Sequence, residues 1–318
     1  MRASLRFLFL ALLALWLSAV AIAAVATDAA TPEAAGLTEG DWESNLFNDD
    51  KIRLIFRMDD VGFCHTSNIA FEQAANEGYV SAVSVIVTTP WLDEMVATVN
   101  RHPEVTVGVH LCLNSEWEMY RWGPVLPVTE VPSLVDEWGY FWPSRALFNE
   151  NEPKIDEIER ELRAQIDLAL AKGLNLSYFD HHMGTAAETP ERVAVLRRIA
   201  DDYGLAISRW FGERPLQGYY TIPPEEKPDK VLELVSGITE PGTYLIVTHT
   251  GLETPEMMAM SDAFVHPWAP QPMASHRLGE LNALIDPRLR AVIEERGMEI
   301  VGYDVFRERF LDQMREPH

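Results

Sequence analysis

Carboxylate and imidazole side chains follow four separate apolar runs of this sequence. They are Asp59 and Asp60 after the first run, His110 at the end of the second, His181 and His182 after the third, and His249 after the fourth. One histidine in such a place is usually a hydrogen-bonded core residue. Two imidazoles and one carboxylate together form a three-ligand metal site with open positions, as in hydrolytic zinc centres and non-haem iron centres. The pattern therefore indicates a metal site assembled from several strand ends.

The adjacent acids Asp59 and Asp60 are costly to bury together, because like charges at close range cannot both ionise freely. A bound metal or a shared proton removes that cost. The alternative is that one acid caps the following helix and the other is solvated. With a metal present, one acid would be a ligand and the other would be the base for a water. His249, from another strand, would then be the acid that protonates a leaving group.

Strands and helices alternate from residue 51 onward, with no linker that would divide the chain. Strands are predicted around residues 54–56, 79–88, 105–111, 176–180, 205–210, 242–248 and 299–303. Helices are predicted around residues 66–78, 90–101, 153–173, 190–202, 230–236, 276–284 and 287–297. Alternating βα units of this length imply parallel strands, and about seven of them predict an α/β barrel that is closed or nearly closed. Residues 51–318 are therefore predicted to form a single domain.

The composition restricts the partners of this chain. Its 26 basic residues are outnumbered by 49 acidic residues, which gives a formal net charge of −23. Nucleic acid and anionic membrane surfaces both attract clustered lysine and arginine, so neither is an expected partner. The 2 cysteines, Cys64 and Cys112, are too few for a disulfide framework, and a buried pair of free thiols is expected.

The first 26 residues have the pattern of a secretory signal peptide. Arg2 and Arg6 supply a basic start, residues 7–22 are apolar but short for a spanning helix, and small residues at 24–26 fit a cleavage site. We expect a secreted or periplasmic protein with no stable membrane insertion after cleavage. Residues 27–50 are rich in alanine, threonine and acids, and are expected to be a flexible lead-in.

The chain resembles the YdjC-like carbohydrate deacetylases in a series of motifs spread over roughly residues 52–306. They are Met58-Asp59-Asp60-Val61-Gly62, Val107-Gly108-Val109-His110-Leu111, Asp180-His181-His182-Met183-Gly184-Thr185 and His249. The Asp-Asp-x-Gly and Gly-x-His-Leu pair is the most specific part. The resemblance implies a distorted (β/α) barrel of about seven parallel strands, like that of polysaccharide deacetylases. It also implies a hydrolase that removes N-acetyl groups from amino sugars or their oligomers.

The resemblance also implies a role for each matching residue. Asp59 corresponds to the general base and His249 to the acid, while the metal ligands correspond to Asp60, His110 and His182. The family usually has Asp-Ser-His in the third motif, so His181 takes the place of the serine, beside the substrate. The family often has proline after the last histidine, where this chain has Thr250. One divalent metal ion is implied, with zinc favoured by the two imidazoles and magnesium used by relatives.

An aromatic-rich segment at residues 114–150 interrupts the alternation of strands and helices. Its first aromatic residues are Trp117, Tyr120 and Trp122. In a deacetylase these side chains would provide platforms on which sugar rings stack. The alternative, a small packing lobe over the barrel rim, is equally consistent with the sequence.

Two other functions use the same residues. An iron oxygenase can be built on two histidines and one carboxylate, but it would leave Asp59 idle, whereas hydrolysis employs it. A sugar-binding protein without activity would use the tryptophans, but it would have no need of the acid pair and His110. The expected partner is therefore an N-acetylated carbohydrate. The sequence leaves the oligomeric state open, a homo-oligomer included.

Overall fold

The computed structural model describes residues 45–260 and 271–316. All the described residues belong to one compact unit. The predicted signal peptide and residues 27–44 of the predicted lead-in therefore lie outside the described residues. Within the described ranges, no helix has both the length and the hydropathy to cross a membrane.

The centre of the fold is a sheet of parallel strands. The strands are β1 (Ile52–Val61), β2 (Ala82–Val85), β3 (Thr106–Leu111), β4 (Leu176–His181), β5 (Ala206–Ile207), β6 (Arg214–Pro215), β7 (Gly242–Thr248) and β8 (Glu299–Ile300). Their order is β5-β4-β3-β2-β1-β7-β6, and β8 pairs with β1 off this path. Among the described residues β5 and β6 do not pair, so the seven-stranded path forms a half-barrel. The predicted distorted barrel of about seven parallel strands is confirmed, and closure of the barrel is not observed.

Helices connect the strands in the predicted βα alternation. They are α1 (His65–Glu77), α2 (Leu92–Val99), α3 (Arg145–Glu150), α4 (Ile155–Ala171), α5 (Pro190–Tyr203), α6 (Lys227–Ser236), α7 (Pro255–Met260), α8 (Met273–Leu284), α9 (Pro287–Glu295) and α10 (Tyr303–Arg309). Helix α4 shows why the spacing of apolar residues predicted the helices. Its apolar residues Ile158, Leu162 and Ile166 recur every four positions and are all buried.

Several strands are shorter than the sequence pattern predicted. The β-branched run at 79–88 yields only the four residues of β2, and the run at 205–210 yields only the two of β5. The last predicted strand stops at Ile300, because Gly302 caps helix α10, which the sequence analysis did not predict. β-branched content marks burial in a sheet, but pairing with the neighbouring strand decides where the strand ends.

The segment 114–150 packs against helix α4 through buried acids. The carboxylate of Glu161 accepts hydrogen bonds from the backbone N–H groups of Val125 and Leu126, at 2.9 and 3.0 Å. One turn earlier, Glu157 accepts from both the N–H and the hydroxyl of Ser133, each at 2.8 Å. These bonds satisfy backbone donors of a segment that has almost no regular structure.

Candidate metal and catalytic site

Three side chains from the carboxyl ends of three strands converge on one point. The Nε2 atom of His110 lies 3.3 Å from Asp60 Oδ1, and the Nδ1 atom of His182 lies 3.2 Å from the same oxygen. The two imidazole nitrogens are 3.3 Å apart. All three side chains are buried. The structure thus brings together the three residues that the sequence analysis predicted as metal ligands.

This donor set fits a divalent metal ion. The Oδ1 atom of Asp60 is buried and faces two imidazole nitrogens without a well-aligned hydrogen bond, which is costly for a charged oxygen. Ligand atoms about 2.0–2.1 Å from a tetrahedral zinc ion stand about 3.3 Å from each other. The observed spacings match that value. His181, the neighbour that could have been the ligand instead, is not part of the triad.

Two residues at the triad have strained backbone conformations. Asp60 has φ of 62° and Met183, directly after His182, has φ of 53°, both in the left-handed region that side chains disfavour. Neighbouring residues of a regular strand point to opposite faces. The left-handed conformation of Asp60 breaks this alternation, so both Asp59 and Asp60 reach the site. Strain of this kind, about 1–3 kcal/mol per residue, persists where the surrounding structure imposes it.

Carboxylates orient both ligand imidazoles. His110 Nδ1 lies 2.9 Å from Asp180 Oδ1, which leaves Nε2 for the metal. His182 uses the opposite edge, since its Nε2 lies 2.9 Å from Glu116 Oε2 and its Nδ1 faces the triad. Trp117 Nε1 in turn donates to Glu116 Oε1 at 2.8 Å. Such partners fix the tautomer and the ring orientation of metal-binding histidines.

The charges around the triad favour a cation. Burial would lower the pKa of His110 and of His182, but the nearby carboxylates outweigh it. Asp180 and Asp59 raise the pKa of His110 to about 9, and Glu116 is the main cause of the raised pKa of His182. The negative field that stabilises a proton on these rings also stabilises a metal ion in the proton's place.

The outer oxygen of Asp60 is held by Arg277. Its guanidinium donates from NH2 to Asp60 Oδ2 at 2.7 Å, and it lies over the neighbouring rings of Phe63 and Trp117, at 4.9 and 5.2 Å from their centroids. Burial would raise the pKa of Asp60, but Arg277 and the two imidazoles hold it well below its usual range. Asp60 therefore offers one charged oxygen, Oδ1, to the centre of the triad.

His249 stands at the end of β7 with a raised pKa. Its backbone N–H donates to Glu280 Oε2 at 2.6 Å, and its Nδ1 lies 3.8 Å from the same oxygen. Burial would lower the pKa of His249, but Glu280 and the site acids raise it. Glu280 is itself fixed by Lys227, whose Nζ lies 2.7 Å from Oε1. The His249 side chain is 25% exposed, so a substrate can reach it.

The predicted substrate-binding residues are one histidine at the end of β4 and three aromatic residues of the segment 114–150. His181 ends β4; burial and Arg209 lower its pKa to about 4, so its imidazole is neutral near pH 7. Trp117 and Trp122 are each only 4% exposed, and the hydroxyl of Tyr120 donates to the carbonyl oxygen of Phe63. The Trp122 ring lies 6.2 Å from the His182 ring. Trp122 therefore lies beside the triad, and the stacking of these residues on sugars stays a prediction.

Four residues of the site carried no assigned role in the sequence analysis: Arg57, Glu116, Asp180 and Arg277. Asp180 stood in a quoted motif, directly before the histidine pair. Arg57 stands two positions before Asp59, a spacing that places both on one face of a strand. Glu116 lies in a segment without periodicity, and Arg277 is distant in sequence from its partner Asp60. No pattern in the sequence connects these last two to the site.

Comparisons with known proteins identify a family and relatives of this chain. The family model described as YdjC-like protein matches residues 53–295. A carbohydrate deacetylase of Thermus thermophilus is 32% identical over 267 residues, which are 76% of this chain and 89% of that protein. A carbohydrate deacetylase of Enterococcus faecalis is 26% identical, over 79% of this chain and 97% of that protein.

One solved structure has the same fold. It is the crystal structure of a protein of Enterococcus faecalis that was proposed to cleave cellobiose phosphate. It aligns with a TM-score of 0.67 at 23% identity, and covers 81% of this chain and 99% of that chain.

Proposed function

The chain belongs to the YdjC-like protein family, and we propose that it is a metal-dependent carbohydrate deacetylase acting on N-acetylated amino sugars or their oligomers. The observation that carries the proposal is the convergence of Asp60 Oδ1, His110 Nε2 and His182 Nδ1 to within 3.2–3.3 Å of one another. The relatives described above, which are named carbohydrate deacetylases, support the reaction and the substrate class.

Asp60, His110 and His182 would hold one divalent metal ion, with zinc favoured over magnesium because two of the three ligands are imidazoles. When bound, the ion supplies Lewis acidity, which polarises an acetamide carbonyl and lowers the pKa of a water. Asp180 and Glu116 keep the two imidazoles in the tautomers that this requires. Arg277 holds the second oxygen of Asp60 and keeps the carboxylate ionised.

Asp59 and His249 move the protons. Asp59, whose oxygen lies within 4.8 Å of His110, takes a proton from the attacking water as the new C–O bond forms. His249, whose pKa is raised so that its protonated form is favoured, donates a proton to the sugar nitrogen as the C–N bond breaks. The products are acetate and the free amino sugar. Both acid–base roles are part of the proposal.

The test is acetate release from N-acetylglucosamine oligomers, measured after removal of metal with a chelator and again after addition of zinc or magnesium. The proposal expects activity to vanish with the metal and to return with one of the two ions. Acetate release that continues without metal would contradict metal dependence. Oxygen uptake with no acetate release would point to an iron oxygenase and overturn the proposed reaction.

We also propose that the protein is exported. The basic and then apolar start and the small residues at 24–26 support this proposal. N-terminal sequencing of protein from the cell envelope fraction should give a mature chain that begins between Ala24 and Thr27. An intact Met1 on soluble cytoplasmic protein would contradict it.

A further inference from the structure

A buried arginine holds the proposed base. Arg57 lies on β1 two residues before Asp59, so both side chains point to the same face of the strand. Its Nε donates to Asp59 Oδ1 and its NH2 group to Asp59 Oδ2, each at 2.7 Å. Arg57 is 4% exposed and Asp59 is 3% exposed. Two parallel bonds from a planar guanidinium fix both the position and the rotation of the carboxylate.

The same guanidinium also contacts Asp180, the carboxylate that orients His110. Its NH2 group lies 2.8 Å from Asp180 Oδ2, and its NH1 group donates to the hydroxyl of Ser208. The other oxygen of Asp180 lies 2.9 Å from His110 Nδ1. A continuous chain of charged groups therefore runs from Asp59 through Arg57 and Asp180 to His110.

Building on the proposed deacetylase function, we propose that Arg57 is a positioning residue that holds the base Asp59 in register with the metal ligand His110. Without it, the buried carboxylates Asp59 and Asp180 would repel each other and separate. Because a carboxylate has about four lone-pair sites, two bonds to Arg57 leave Asp59 able to accept the proton of a water. A lysine would keep the charge but could not make the fork.

The alternative is that Arg57 only neutralises buried acids. The two interpretations differ in what Arg57→Lys does. Neutralisation requires one positive charge, which lysine supplies, so kcat would be preserved. Positioning requires the planar fork, so kcat would fall while the metal stays bound. A displacement of about 1 Å in a catalytic group can cost about 100-fold in rate.

The experiment is a double-mutant cycle of Arg57→Lys and Asp59→Asn, with kcat for acetate release and metal occupancy measured for each variant. We expect Arg57→Lys to lower kcat by about 100-fold at unchanged metal occupancy. In the Asp59→Asn background it should lower kcat no further, because the group on which it acts is already inactive. Equal fold-losses in both backgrounds, or an unchanged kcat in Arg57→Lys, would overturn the proposal.

Arg53 supplies the matched control. It lies on the same strand, is 5% exposed, and also makes a two-bond fork with a carboxylate, donating from NH1 and NH2 to Asp49 at 2.8 and 2.6 Å. Arg53→Lys should lower the thermal midpoint without changing kcat. If Arg57→Lys does not fold, Ser208→Ala, which removes the hydroxyl bonded to Arg57 NH1 and keeps the guanidinium charge, replaces it in the cycle and should show the same absence of additivity. A wild type that releases no acetate would refute the deacetylase function itself, whereas an active wild type with an additive cycle would refute only the role of Arg57.

Discussion

Strand β1 carries two buried arginines. Each forms ion pairs with two acids, but the surroundings of the two differ. At its amino end, Arg53 pairs with Asp49 and Glu299, whose side chains are 33% and 36% exposed. At its carboxyl end, Arg57 pairs with Asp59 and Asp180, whose side chains are 4% and 5% exposed. Each arginine pairs with two acids and makes a two-bond fork with one of them, and the main difference is the hydration of the acids.

The difference in hydration decides what each pair does. A pair whose acids reach water is screened and contributes less than a fully dehydrated pair. A dehydrated pair is costly to assemble, and removing one partner leaves a buried charge at a cost of about 3–5 kcal/mol. The strained φ of Asp60 lies at this same carboxyl end. Such costs are characteristic of functional sites, so the comparison locates function at one end of the strand.

The largest effect on metal binding is expected from Asp60, at the carboxyl end of β1, and none is expected from Asp49, at the amino end. Asp60→Asn replaces an anionic ligand with a neutral one and should weaken metal binding by more than about 100-fold, since loss of a mere supporting partner already costs about 10–100-fold. Activity should return in part at high metal concentration. Asp49→Asn, at the amino end, should leave metal binding unchanged. Chelator competition measures both, and equal affinities in the two variants would contradict the comparison.

Asp59→Asn, at the carboxyl end of β1, should lower the rate of the reaction without releasing the metal. The amide keeps the size of the side chain and removes its basicity, so we expect kcat to fall about 100-fold or more while the metal remains bound. Acetate release and metal content, measured on the same sample, are the test. Loss of metal together with activity would show that Asp59 is itself a ligand, and the base would have to be sought elsewhere, with His249 first.

Glu116→Gln extends the comparison to a carboxylate outside strand β1. Glu116 orients His182, so the variant should weaken metal binding by about 10–100-fold, less than loss of a ligand. Glu118, exposed and two positions further along the same segment, is the matched control. Glu118→Gln should have no effect on affinity. If Glu116→Gln also has none, the Glu116 carboxylate does not support the metal site.

Sequence patterns predicted seven of the strands and the longer helices because each depends on local signals, and the family resemblance singled out Asp60, His110 and His182 as the candidate ligands. The buried runs of β1 and β7 show the strands, and His110 stands at a strand end where parallel strands place function. The partners that orient these groups were not predicted. Glu116 belongs to a segment without periodicity, and Arg277 reaches Asp60 only through the tertiary fold. The sequence also could not show that the barrel stays open, because closure depends on pairing between distant strands, which no local pattern specifies.

The smallest expected effect is a displacement of the pH profile. Glu280 raises the pKa of His249, and a general acid must be protonated, so kcat/KM should fall as pH rises through that raised pKa. Glu280→Gln removes the negative charge and should move this alkaline limb to lower pH. The variant also leaves Lys227 buried without its ion-pair partner, so profiles are compared well below its thermal midpoint. Glu299 lies on β8 and pairs with Arg53 at the amino end of β1, so Glu299→Gln should leave the alkaline limb in place. An unmoved limb in folded Glu280→Gln would show that His249 is not the acid.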